Sequence, residues 1–290
     1  MTSTERVPKQ PLHPSMIPKL DPEYVKFHND VLQYITPPHT LPWDPAMRNA
    51  PTVPGSTEPL ERIHRRLDFG TIASEMTFAT NMCVRAKCVV LSVNYRLAPE
   101  HKYPIAVDDA VESLAMGSQK CKIAVGGSSS GGNLATILAL KAAELTFTPP
   151  LPAPLVFQLL IVPVTDNMAT DGPGGLWEEN KHTPWLSPAR MNWFKDNYLP
   201  NKEDWTKWDA SPAFAPNDLL AKTPNAWIGL AEVDILTTEG LQYGVKEVET
   251  VVYKGGPHPI MAMDGAVVKL GAQLITDAAR ALSKAFTTQA

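Results

Sequence analysis

From about residue 70 onward, apolar positions follow two alternating rhythms. Short continuous runs occur at 87–94 (KCVVLSVN), 121–125, 155–162, 226–230 and 248–253. Runs of this length, rich in Val, Ile and Leu, fit strands buried on both faces. Between them lie longer stretches with an apolar residue every three to four positions, at 71–86, 104–116, 130–145 and 264–286. The last sets Val267, Leu270, Leu274, Ala278 and Leu282 on one helical stripe. Strand–helix alternation predicts an α/β fold, with a mostly parallel sheet of about five strands flanked by helices. The run at 87–94 is expected at or near an edge of that sheet.

Two segments break the rhythm. Residues 1–62 hold no strand pattern, and 12 of the 28 prolines fall within the first 60 residues. Proline removes a backbone donor and fixes φ, so this segment is expected to be an irregular arm with short helices and no central strand. Its one helix is predicted over 21–35, with Asp21 as N-cap and Pro22 at the first helical position. The second segment, 166–218, is rich in proline and holds Trp177, Trp185, Trp193, Trp205 and Trp208. An insertion of this kind between strands suits a lid over the carboxyl edge of a sheet. The organisation predicted is an arm at 1–62 and one α/β domain at 63–290, carrying a cap insertion at about 166–218.

Composition narrows the functional classes. Lys and Arg number 26 against 30 Asp and Glu, a net charge of −4 with no basic cluster, which argues against a nucleic-acid partner. The longest apolar stretch, 155–164, is half the length of a membrane span and is broken by Gln158 and Pro163. The first residues show no charged segment followed by an apolar one, so a soluble, cytoplasmic protein is expected. Cys83, Cys88 and Cys121 lack the spacing of a disulfide framework or a structural zinc site.

The sharpest chemical signal is Gly127-Ser128-Ser129-Ser130-Gly131, a G-x-S-x-G match between an apolar strand and a helix. That setting is what a nucleophile elbow needs: a tight turn that projects the Ser129 hydroxyl, and helix N–H groups aimed at a developing oxyanion. A phosphate-binding turn fits less well, because the Walker lysine is absent and the glycine spacing is not G-x-G-x-x-G. A serine nucleophile requires a base and a group that orients it, in the chain order serine, acid, histidine. Only His182 and His258 follow Ser129. His258 lies in the loop after the last predicted strand, whereas His182 falls in the insertion. Glu232 and Asp234 both stand just after the run at 226–230, and either carboxylate could face the histidine.

Four segments taken together resemble the hormone-sensitive-lipase-like branch of the α/β-hydrolases. They are Asn94-Tyr-Arg-Leu-Ala-Pro-Glu-His101 with Tyr103-Pro104; Gly127-Ser-Ser-Ser-Gly-Gly-Asn-Leu-Ala135; Ala231-Glu-Val-Asp234-Ile-Leu with Glu239-Gly240; and Pro257-His258. They occur in the family's order and span roughly 70–285. The resemblance implies an α/β-hydrolase sheet with a helical cap, and Ser129, Asp234 and His258 as nucleophile, acid and base. It implies hydrolysis of a small carboxylic ester, of short acyl chain or aryl type, without a cofactor or metal, and it is compatible with a homodimer.

The chain also departs from the family pattern. The glycines of an H-G-G-G motif form most of the family's oxyanion hole, but the corresponding stretch reads Ile63-His64-Arg65-Arg66-Leu67-Asp68-Phe69-Gly70. The three strands that precede that motif have no counterpart in 1–62. Ser130 and Gly70 are therefore the expected oxyanion donors. The reading is a serine esterase of reduced activity; the alternative is a non-catalytic hydrolase-fold protein, a binding module or truncated gene product.

Overall fold

Four strands lie side by side in chain order, every neighbouring pair parallel: β1 (Ile123–Ser128), β2 (Leu155–Ile161), β3 (Ala226–Val233) and β4 (Val248–Pro257). This computed structural model describes residues 6–49, 75–117, 122–244, 247–258, 260–265 and 267–288. Gly127 pairs with Leu160, Leu160 with Ile228 and Ile228 with Thr250, so Ser128, Ile161, Val233 and Pro257 end at one carboxyl edge. That edge is where open parallel sheets bind their ligands.

The arm contributes α1 (Pro22–Asp30), with the Asp21 side chain accepting from Glu23 N–H at 2.7 Å. The helix ends earlier than the predicted 21–35. Val31 breaks the α geometry, and a 3₁₀ turn, Leu32–Tyr34, replaces the last turn so that Leu32 can bury. Met16, Leu20, Tyr24 and Leu32 pack on Val233, Met263 and Val267, which makes the arm part of the core.

Beyond the arm come α2 (Met76–Ala86), α3 (Ile105–Gly117), α4 (Ser130–Ala143), α5 (Pro188–Tyr198), α6 (Asn217–Leu220), α7 (Thr237–Gln242) and α8 (Val268–Thr287). Leu159, Ile161, Trp227 and Ala231 share one side of the sheet with Met82 and Ala86 of α2 and Leu274, Ala278 and Leu282 of α8. Leu160, Ile228 and Leu230 share the other with Ala135, Ala139 and Leu140 of α4 and Leu219 and Leu220 of α6. Neighbouring residues on β2 and β3 thus serve opposite cores, as the period of two requires.

Two expectations about the sheet are corrected. It has four strands among the described residues, not about five, and the run at 87–94 is not one of them. That segment is not assigned as a strand, and Val89 is 94% exposed. Its composition favours a strand, but strand stability comes from ladder bonds and cross-strand packing, and it pairs with no described strand. The absence of strands from the arm agrees with the proline reading: among the described residues none precedes Ile123. The expected boundary at 62/63 lies outside the described residues.

Candidate active site

Ser129 sits at the join of β1 and α4 with φ 54° and ψ −116°, a conformation L-residues rarely adopt. The local sequence makes this turn possible. A Cβ on Gly127 would lie 2.3 Å from the Gly131 backbone, and one on Gly132 would lie 3.0 Å from Pro163. Strand and helix can cross this closely only without those side chains. Asn133 then ties the first turn of α4 to the insertion, its Nδ2 donating to Val164 O at 2.8 Å and Ala210 O at 3.0 Å.

The described loop after β4 brings His258 over the serine, with Nε2 3.1 Å from Ser129 Oγ. On the other side of the ring, Nδ1 is 2.7 Å from Asp234 Oδ2. A carboxylate only accepts, so Nδ1 carries the proton and Nε2 is free to accept from the serine hydroxyl. The Asp234 side chain is fully buried and that of His258 is 10% exposed. Asp234 is itself fixed: Oδ1 accepts from Leu236 N–H at 3.1 Å, and its carbonyl accepts from Asn180 Nδ2 at 2.8 Å. Glu232, the other candidate carboxylate, turns elsewhere and accepts from Gly255 N–H at 2.8 Å.

Ser130 opens α4, where backbone N–H groups have no intrahelical acceptor. Its hydroxyl lies 3.3 Å from Tyr95 Oη. Gly70, like His64 and Phe69, lies outside the described residues. His182 is exposed and its ring stacks on His13 at 4.0 Å, away from the serine. Asp109, on α3, accepts from the Arg96 backbone N–H at 2.8 Å and from the Arg96 guanidinium at 2.6 Å.

A cavity of about 390 Å³ opens on Ser129 and His258. Its apolar wall comes from the arm and the insertion: Trp43, Trp185, Leu186, Met191, Trp193 and Phe194. Trp43 and Trp193 approach to 6.1 Å between ring centroids, joining the two cap segments. Of the other tryptophans of the insertion, Trp177 is fully buried and Trp205 and Trp208 are partly buried. Sequence reasoning singled out neither Arg190, Lys195 nor Tyr198, all three of which line the cavity from α5. Nothing in the local pattern marks them, because a charged or hydroxyl-bearing residue on a helix ordinarily faces water.

Comparisons with known proteins give the family and the fold. A family model described as alpha/beta hydrolase fold matches residues 68–262. An AB hydrolase superfamily protein of Schizosaccharomyces pombe is 38% identical over 343 residues, 98% of this chain and 99% of that protein. Carboxylesterase NlhH of Mycobacterium tuberculosis is 34% identical over 169 residues, which cover 55% of this chain and 50% of that protein. Among solved structures, a thermostable esterase from Pseudomonas putida is similar with a TM-score of 0.66 and 28% identity, over 76% of this chain and 71% of that chain.

Proposed function

The chain belongs to the alpha/beta hydrolase fold-3 family, and from that premise we propose that it cleaves small carboxylic esters through an acyl-enzyme on Ser129. The observation that carries the proposal is the continuous relay from Asp234 to His258 to Ser129, at 2.7 Å and 3.1 Å. In this mechanism Ser129 Oγ attacks the ester carbonyl carbon while its proton passes to His258 Nε2. Asp234 keeps the proton on Nδ1 and stabilises the imidazolium that forms. The tetrahedral intermediate collapses by breaking the bond to the alkoxy oxygen, which leaves as the alcohol after taking the proton from Nε2. Water, deprotonated by the same nitrogen, then attacks the acyl carbon and releases the acid and Ser129.

Charge on the carbonyl oxygen needs donors. The Ser130 N–H at the start of α4 supplies one, aided by the helix dipole. The glycine loop that furnishes others in the family is absent from the sequence. One lost donor costs ~10²–10³ in kcat. Turnover is therefore slow, and it favours activated esters, whose leaving groups need less stabilisation.

The test combines 4-nitrophenyl acetate hydrolysis with labelling by a serine-directed phosphonate. The expected result is a burst of 4-nitrophenol, slow steady turnover and a label on Ser129. A label on Ser128 or Ser130, or neither label nor burst from folded protein, overturns the proposal. Rapid cleavage of ethyl acetate would overturn the reduced oxyanion hole alone.

A further inference from the structure

The cavity that opens on Ser129 carries three cationic side chains, Arg96, Arg190 and Lys195, and no carboxylate among its described lining residues. Two of the three have a carboxylate acting on them: Asp109 on Arg96 and Asp166 on Lys195. Arg96 forms a two-pronged pair with Asp109. Lys195 is buried between Trp177 and Trp205, with its Nζ 4.2 Å from the Trp205 ring centre, and the charge of Asp166 favours its cationic form.

Arg190 has no such partner among the described residues. Its guanidinium stacks over Trp185 at 4.6 Å and lies 5.9 Å from the Phe194 ring centre, and one Nη donates to Trp185 O at 3.1 Å. Its Nε is buried and bonded to nothing. Burial alone pulls its pKa down to about 10. The Arg190 charge, together with burial, holds His39 of the arm toward its neutral form. A half-buried guanidinium that lines a cavity and has no carboxylate partner among the described residues costs free energy that a bound carboxylate would offset, since a carboxylate matches its planar fork. The Trp185 ring against the guanidinium holds the plane of that fork, and the apolar wall of the cavity suits a flat, apolar body.

We propose that Arg190 makes this cavity selective for esters that also carry a carboxylate, most suitably on an aromatic ring, and that it binds that carboxylate while Ser129 meets the ester carbonyl. The inference rests on the esterase reading for its chemistry, but anion binding by the cavity can be measured without turnover.

Two measurements test it. The first compares kcat/KM for 4-acetoxybenzoate with that for its neutral methyl ester. The intact protein should prefer the anion by about tenfold or more, through KM; Arg190→Met should bring the ratio to about one, and Arg190→Lys should keep part of it. The second titrates benzoate into each protein by calorimetry, with circular dichroism to show that the variants fold. Arg190→Met should weaken benzoate binding by about tenfold or more. Equal benzoate affinity in the two proteins, no benzoate binding at all, or an anion preference that survives Arg190→Met overturns the proposal. If neither ester is cleaved but benzoate binding depends on Arg190, the esterase reading fails and the anion site stands.

Discussion

Asp234 meets His258 at 2.7 Å, while Glu232, two residues earlier in the chain, spends its carboxylate on the Gly255 N–H at 2.8 Å. In an unbroken strand, residues two apart face the same side. Here the register shifts between Ala231 and Val233 and β3 ends at Val233, so Asp234 lies beyond the strand and turns under the imidazole.

That division predicts unequal mutants. Asp234→Asn keeps the shape but lets the histidine take the wrong tautomer, with an expected loss of about 10²–10⁴ in kcat on an activated ester. Glu232→Gln keeps a carbonyl oxygen to accept from Gly255 and should cost less than about tenfold. Steady-state kinetics on both purified variants checks this, and the opposite ranking would sink it.

Ser129 occupies a backbone region that glycine tolerates and other residues pay about 1–3 kcal/mol to hold. Ser129→Ala should lose hydrolysis and keep the strain. Ser129→Gly should lose hydrolysis and relieve it, partly offset by the greater freedom of glycine in the unfolded chain. Urea denaturation should therefore find Ser129→Gly the more stable of the two inactive variants, by about 1 kcal/mol. Equal midpoints would mean that the elbow holds no strain.

Glu239 gives the protein a pH-dependent stability that has nothing to do with the serine. It is buried beneath the insertion, accepting from Thr165 N–H at 2.9 Å and from Trp177 Nε1 at 3.3 Å, and burial pushes its carboxyl up to about 8. The folded protein therefore keeps a proton that the unfolded chain releases near the ordinary carboxylate value. Between that value and about pH 8 the unfolded state binds fewer protons, so stability falls as pH rises and levels off above. The contribution is on the order of a few kcal/mol. Denaturation midpoints at pH 5, 6.5 and 8 should decline in the native sequence and decline less in Glu239→Gln; parallel declines would remove Glu239 as the cause.

Much of this site is legible in the sequence. The glycines around Ser129 announce a turn that no bulkier residue could make, and chain order leaves only His258 and His182 to partner it. Choosing Asp234 over Glu232 needed the family resemblance, because the register shift that separates them depends on how β3 pairs with β4. Arg190 was illegible for a different reason. Its burial is made by Trp185 and Phe194 around it and by the packing of the arm against α5, none of which a local pattern encodes. The run at 87–94 misled in the opposite sense: its residues want a strand, but strand formation is a property of pairs.

That unpaired run carries the last prediction. Val89, Val90 and Leu91 are 94%, 36% and 50% exposed, in a β-branched stretch with no ladder partner among the described residues. Exposed apolar, β-branched segments of this kind pair readily with copies of themselves. Such an association would appear as concentration-dependent light scattering on mild warming. Val89→Lys places a charge on the exposed segment and should suppress the scattering. It removes no buried contact, so the denaturation midpoint should stay within about 0.5 kcal/mol and ester turnover should not change. A large loss of stability in Val89→Lys would mean that the side chain is covered in solution, and the aggregation argument would fall with it. Scattering that is unchanged by the lysine would place the association on another surface.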